Sequence, residues 1–207
     1  MALMDSWGMT ECVLNVGGGY GVRYTADDAP LPLSAYIEAI VTAVKEYVAA
    51  ATSRIKVPAF WIEPGRSLVS EAGTTLYTAG SQKVVPGVRT YLAVDGGMSD
   101  NIRPVTYQAV YSAALANKMN APADHTYNVV GKLCESGDQL IRDVALPAAE
   151  EGDVVAVFCT GAYCYAMASN YNKMCRPAVV FAEDGAAKLV VRRESPEDLI
   201  RNELPYT

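Results

Sequence analysis

Histidine is nearly missing from these 207 residues: there is one, His125. That excludes a His-rich metal centre and argues against a Cys/His nucleophile pair. Positive charge is also short. Seventeen Lys and Arg face twenty-three Asp and Glu, a formal net charge of −6, with an isoelectric point near 4.8. Nucleic acids and anionic membranes recruit clustered Lys and Arg, so neither is expected as a partner. No apolar run approaches the ~20 residues of a membrane span. The start, Met1-Ala2-Leu3-Met4-Asp5, has neither the basic opening nor the long apolar region of a secretory signal. Five cysteines (Cys12, Cys134, Cys159, Cys164, Cys175) are odd in number and show no paired metal spacing. They read as reduced small hydrophobes of a cytoplasmic protein, and no metal site is expected. Internal repeats and low-complexity segments are missing too. What remains is an ordinary globular composition, 51% hydrophobic and 19% charged, long enough for one large domain or two small ones.

Periodicity divides the chain near residue 72. Cys12 to Val16 is a short apolar run that stops at Gly17-Gly18-Gly19-Tyr20-Gly21, a buried strand entering a tight turn. Tyr36, Ile37, Ile40, Val44, Tyr47, Val48 and Ala51 recur at helical spacing, with Ser34 as the expected N-cap. Val57 to Ile62 predicts a second strand running into Glu63-Pro64-Gly65-Arg66. Strand, helix, strand is a parallel βαβ unit, and both turns lie where parallel sheets gather ligands. One such unit cannot bury both faces of a parallel sheet. Residues 1–72 are therefore expected to be the end of a larger α/β domain. After Gly73, short β-rich runs at 74–79, 90–94, 127–130, 154–159, 178–181 and 188–192 predict a mainly antiparallel β domain over 73–207 with a few short helices. A helix is expected around Ala162–Asn170. Another should start at Ser195-Pro196-Glu197-Asp198, where cap, N1 proline and acidic first turn coincide.

Five motifs carry chemistry. Gly17-Gly18-Gly19 lets backbone N–H groups approach an anion, and fits a phosphate cradle or a plain tight turn. It is not a Walker A loop, since no Gly-Lys-Ser/Thr follows, and not a dinucleotide fingerprint. Glu63-Pro64-Gly65-Arg66 puts a guanidinium at the end of the second strand, suited to a carboxylate or phosphate or to a surface salt bridge. Asp95 to Arg103 leaves a β run through a glycine pair, reaches a second Arg and is followed by Tyr107. Such a loop suits a zwitterionic small molecule, or a well-capped bulge. Cys134-Glu135-Ser136-Gly137-Asp138 offers a thiol beside a carboxylate. A free thiol titrates near about 8.5 and stays mostly protonated at neutral pH, so it can donate a proton. Tyr163, after the strand ending at Cys159, can stack on a ring or fill a core.

In this order the motifs resemble the C-terminal portion of the fold type III pyridoxal-phosphate decarboxylases, in particular the branch that converts meso-diaminopimelate to L-lysine. The resemblance runs from about Val13 to Tyr206. It implies that residues 1–72 are the last βαβ unit of a TIM-type barrel. It implies that Gly17, Gly18 and Gly19, with Glu63, Pro64, Gly65 and Arg66, hold the phosphate of pyridoxal 5'-phosphate, and that Tyr163 touches cofactor and substrate. Arg66, Arg103 and Tyr107 would hold substrate carboxylate, and Glu135 the distal ammonium. Cys134 would donate the proton after carbon dioxide leaves, across the interface of a homodimer with shared active sites. Diaminopimelate carries a carboxylate and an ammonium at both ends, which a pocket with Arg66, Arg103 and Glu135 matches.

The chain also departs from that family's pattern. Its members carry a Schiff-base lysine and a ring-stacking histidine on early barrel strands. No matching motif surrounds Lys45, Lys56, Lys83, Lys118, Lys132, Lys173 or Lys188. The chain is expected to be a fragment lacking that lysine and inactive alone. The competing readings are a non-catalytic dimerisation or β-domain module, and a related decarboxylase of ornithine or arginine.

Overall fold

The computed structural model describes residues 1–51 and 54–206. Thr52, Ser53 and Thr207, which the spans 1–72 and 73–207 include, lie outside the described residues. Two compact units are present, one ending at Ser70 and the other starting at Glu71.

The first unit contains α1 (Ala2–Ser6), β1 (Val13–Asn15), α2 (Leu33–Ala50), β2 (Ala59–Trp61) and α3 (Gly65–Val69). β1 and β2 pair in parallel, Val13 opposite Ala59 and Asn15 opposite Trp61. Parallel neighbours need a long crossover, and α2 supplies it. The face of α2 read from apolar spacing is the covered one, with Val44 buried at its centre. Ser34 is not the cap. The helix starts at Leu33 after Pro32, whose extended backbone leads straight into it without a side-chain cap bond.

The second unit holds β3 (Thr74–Val85), β4 (Arg89–Val94), α4 (Arg103–Tyr107), β5 (Ala113–Leu115), β6 (His125–Val130), β7 (Gln139–Leu146), β8 (Val154–Phe158), β9 (Val179–Glu183), β10 (Ala186–Val191) and α5 (Pro196–Ile200). Six strands form one sheet in the order β5-β8-β3-β4-β6-β7. It is mixed, because β4 and β6 run parallel while every other pair is antiparallel. β3 serves two partners. Thr74–Thr78 pairs with β8, and Ala79 to Val85 pairs with β4 across a register break between Ala79 and Gln82. The edge strands β5 and β7 approach each other, so the sheet nearly closes. Leu92, Leu115, Val129, Leu146, Val155 and Val157 fill it and are almost wholly inaccessible.

β9 and β10 form a separate hairpin. Asp184 and Gly185 turn it with positive φ at both positions, the twist-matched geometry for a two-residue connection. The helix expected over 162–170 is absent. Short 3₁₀ turns at Tyr165–Met167 and Tyr171–Lys173 replace it. Left-handed backbone at Tyr163 (φ 69°) and extended backbone at Ala168 break any longer helix.

α5 forms where its cap predicted. Ser195 and Asp198 make a reciprocal capping box, with the Ser195 N–H donating to Asp198 Oδ2 at 2.8 Å. Ser195→Ala is expected to destabilise this five-residue helix by about 1 kcal/mol. Faster amide exchange confined to 197–200 would show it, and unchanged exchange there would refute it. Among the described residues no helix is long and apolar enough to cross a membrane.

Candidate active site

The sequence-predicted residues fall into two groups, one in each unit. In the first unit the glycine turn and the Glu63–Arg66 turn meet. Asn15, the last residue of β1, joins them: its Oδ1 accepts the Gly17 N–H at 2.8 Å, and its Nδ2 donates to Glu63 Oε1 at 2.6 Å. The Glu63 N–H donates to the Gly17 carbonyl at 2.8 Å. Gly18 is required by this approach, since a Cβ there would strike the Glu63 carbonyl. Gly17 and Gly19 have φ of 72° and 85° and border open space. Arg66, in the first turn of α3, lays its Nη2 against the carbonyls of Gly19 and Tyr20 at 3.4 and 3.3 Å. Its Nε is buried with no hydrogen-bond partner. A buried guanidinium nitrogen without an acceptor, beside a turn that a side chain at Gly18 would block, fits an anion such as a phosphate.

In the second unit α4 places Arg103, which is buried rather than open to solvent. Its Nη1 donates to the Tyr111 hydroxyl at 2.6 Å, and that hydroxyl meets Cys164 Sγ at 3.4 Å. The guanidinium lies 5.5 Å from the ring centroid of Tyr163 and 5.8 Å from that of Tyr111. The left-handed residue Tyr163 is therefore the one that packs on Arg103, a contact that favours a fixed, planar cation. Burial pushes the Tyr111 hydroxyl well above its ordinary range, assisted by Cys164 and opposed by Arg103. Burial also raises the Cys164 thiol, against Tyr111 and Arg103. Both groups stay protonated at neutral pH. Tyr107, one turn beyond Arg103, is exposed.

Cys134 and Glu135 are exposed at the tip of the loop between β6 and β7. Glu135 Oε1 accepts the Gly137 N–H at 3.3 Å, and the Tyr171 hydroxyl lies 3.5 Å from Oε2. Val105 of α4 packs beside Gly137, so this loop and the Arg103 helix are neighbours. The segment after β8 is tied in by the Ser169 N–H, which donates to the Ser99 carbonyl at 2.9 Å. Beside Tyr171, Asn170 Nδ2 donates to Glu194 Oε2 at 2.6 Å, and Arg176 holds both oxygens of Glu194.

Arg176 is the main reason that the Glu194 carboxyl titrates at about 2, below its usual value. The folded form has the lower pKa, so the pair stabilises fully above the ordinary carboxylate value and is lost as pH falls through about 2. The Arg176 amide resonance is expected to hold steady from pH 7 to 4 and to move with a midpoint near 2. A midpoint at the ordinary glutamate value would refute this.

Sequence reasoning missed Tyr111, Cys164, Tyr171 and the role of Asp138. Tyr111 follows Arg103 by eight residues and Cys164 lies 53 residues beyond Tyr111, and hydrophobic patterning marks both only as core. Asp138 stands inside the Cys134–Asp138 motif, but only the fold shows what its carboxylate touches.

Residues 23–161 match the family model described as "Pyridoxal-dependent decarboxylase, C-terminal sheet domain". A diaminopimelate decarboxylase of Bacillus subtilis (strain 168) is 59% identical over 202 residues, covering 98% of this chain and 46% of the relative. One from Synechocystis sp. is 50% identical, covering 96% of this chain and 42% of the relative. The solved diaminopimelate decarboxylase of M. jannaschii superposes with a TM-score of 0.89 at 32% identity, over 99% of this chain and 45% of that one. That of Helicobacter pylori, complexed with L-lysine, superposes with a TM-score of 0.83 at 30% identity, over 98% of this chain and 47% of that one. The chain spans about half the length of the curated relatives it matches.

Proposed function

The chain belongs to the pyridoxal-dependent decarboxylases, and from that premise we propose that it supplies the C-terminal part of an enzyme that decarboxylates meso-diaminopimelate to L-lysine. Residues 1–72 are then the final βαβ unit of a cofactor-binding (β/α)₈ barrel, and 73–207 the β domain. The observation that carries the reading is the second unit's wall. Arg103 is buried and fixed between two tyrosine rings, beside a loop that exposes Cys134 and Glu135.

Gly17, Gly18, Gly19 and the turn Glu63, Pro64, Gly65, Arg66 would hold the phosphate of pyridoxal 5'-phosphate, with the unpartnered Nε of Arg66 as the charged donor. When bound, that cofactor withdraws the electron pair left by the departing carboxylate. The chain's own residues bind, orient and protonate. Arg103, with Arg66 and Tyr107, takes substrate carboxylates, and its immobility spares the entropy of ordering a long side chain on binding. Glu135 faces the distal ammonium. Cys134 Sγ delivers the proton to the carbon that has lost carbon dioxide. Tyr163 borders cofactor and substrate while its ring holds Arg103. A homodimer in the cytoplasm, each subunit lending Cys134 to its neighbour's site, completes the arrangement.

The test is carbon dioxide release from meso-diaminopimelate by this chain mixed with the part of the Bacillus subtilis relative that it does not cover. Release that needs both pieces supports the proposal. A stable complex without release favours a non-catalytic β module, and preferential turnover of ornithine or arginine moves the substrate to a related amino acid.

A further inference from the structure

Asp138 closes the motif that opens with Cys134, and it is 3% exposed. Its two carboxylate oxygens serve two distant stretches of backbone. Oδ2 accepts the N–H of Leu133, the residue immediately before Cys134, at 2.9 Å. Oδ1 accepts the N–H of Met98, in the turn that leads into Arg103, at 2.7 Å. Two glycines make room for it, since a Cβ at Gly97 or at Gly131 would run into this carboxylate. Surrounding bonds reinforce the clamp. The Lys132 N–H donates to the Gly96 carbonyl at 3.0 Å, and the Gly131 N–H to the Asp138 carbonyl at 3.0 Å. Asp100 Oδ2 accepts the Gly97 N–H at 3.0 Å on the other side of the turn.

We propose that Asp138 is a positioning residue, one carboxylate that fixes the loop bearing Cys134 and Glu135 against the segment bearing Arg103. The geometry explains why a carboxylate stands here. Each N–H needs an acceptor, and an acid has two oxygens and no competing donor. An amide keeps one acceptor and turns an N–H₂ group toward the second N–H. Burying the carboxylate is costly, and burial accordingly raises its pKa despite both bonds. Such a cost is tolerated where the anchored geometry is needed. The catalytic meaning of this clamp rests on the reading of Cys134 as proton donor; the clamp itself does not.

The test uses the whole chain with Cys12 and Cys175 replaced by serine and a nitroxide placed on exposed Cys134. Asp138→Asn is expected to shorten the label's correlation time by about threefold, as the loop enters nanosecond motion. Asp153→Asn, which removes another buried carboxylate bonded to Lys118 and Asn117, leaves the spectrum unchanged. An unchanged spectrum in Asp138→Asn overturns the proposal. If that variant does not fold, hydrogen exchange of the unaltered chain decides: Leu133 and Met98 amides, held by one group, are protected equally, and a difference of about tenfold overturns the shared clamp. In the mixed decarboxylase, Asp138→Asn is expected to lower kcat on the order of a hundredfold and, because Glu135 rides on the same loop, to raise KM as well. A mobile loop with undiminished kcat would instead remove Cys134 from the chemistry, a failure of the proposed function and not of the clamp.

Discussion

Cys134→Ala is expected to reduce kcat of the mixed decarboxylase by about 10²–10⁴-fold, the usual worth of a positioned general acid. Cys134 stands at an exposed loop tip, and the bonds that shape its loop come from backbone groups, Glu135 and Asp138. Removing Sγ therefore leaves the loop in place, and unfolding free energy should move by no more than about 0.5 kcal/mol. Because the proton is transferred after substrate is held, KM should stay near its original value while kcat and kcat/KM fall together. Cys134→Ser should recover little, since a hydroxyl is a far weaker acid than a thiol. Steady-state carbon dioxide release with a denaturation curve for each variant checks all three statements. More than about a tenth of kcat remaining in Cys134→Ala would take Cys134 out of the proton transfer.

The second large effect is expected at Arg103. Arg103→Ala should raise KM for diaminopimelate by roughly 30- to 5,000-fold, the equivalent of the 2–5 kcal/mol lost when one member of a buried, hydrogen-bonded charge pair is truncated. Lysine should not rescue it. The Tyr163 and Tyr111 rings and the Tyr111 hydroxyl at 2.6 Å are arranged around a planar fork, which an ammonium cannot copy. Stability should fall as well, by about 1–3 kcal/mol, because the buried Tyr111 hydroxyl loses this charged donor. Separate KM and denaturation measurements distinguish the two losses. A KM that is unaffected in a folded Arg103→Ala variant would assign Arg103 to packing alone.

How far these features were legible in the sequence depended on range. The parallel β1–α2–β2 unit could be read because its apolar period and glycine stops are local. α5 could be read because Ser195, Pro196 and Asp198 mark one helix start within four residues. β7 could not. Its centre, Ile141-Arg142-Asp143-Val144, breaks strand alternation, and the structure supplies the reason: Asp143 has φ 50° and its N–H is taken by Asn128 Oδ1, a bulge held by a neighbouring strand. β5, three residues long, gives no period at all. The helix expected at 162–170 failed for a tertiary reason, since Tyr163 adopts left-handed backbone where it packs on Arg103. Within the candidate site, the residue types were visible as motifs. Two of the bonds that organise them, Tyr111 to Cys164 and Asp138 to Met98, join residues that only the folded sheet brings together.

The division of β3 between two partners has a kinetic meaning. Its second half meets β4 through a short turn, a contact the chain can make at once. Its first half waits for β8, with Thr74 opposite Phe158, far downstream. Closing so long a loop costs chain entropy before any pairing rewards it, and sets a slow pace for the sheet. Tyr163 and Cys164 follow directly behind β8, so they reach Arg103 and Tyr111 only once that closure is made. The aromatic face that steadies the guanidinium is thus tied to the slowest, least local pairing of the sheet, and refolding should deliver the wall of the site no sooner than that pairing.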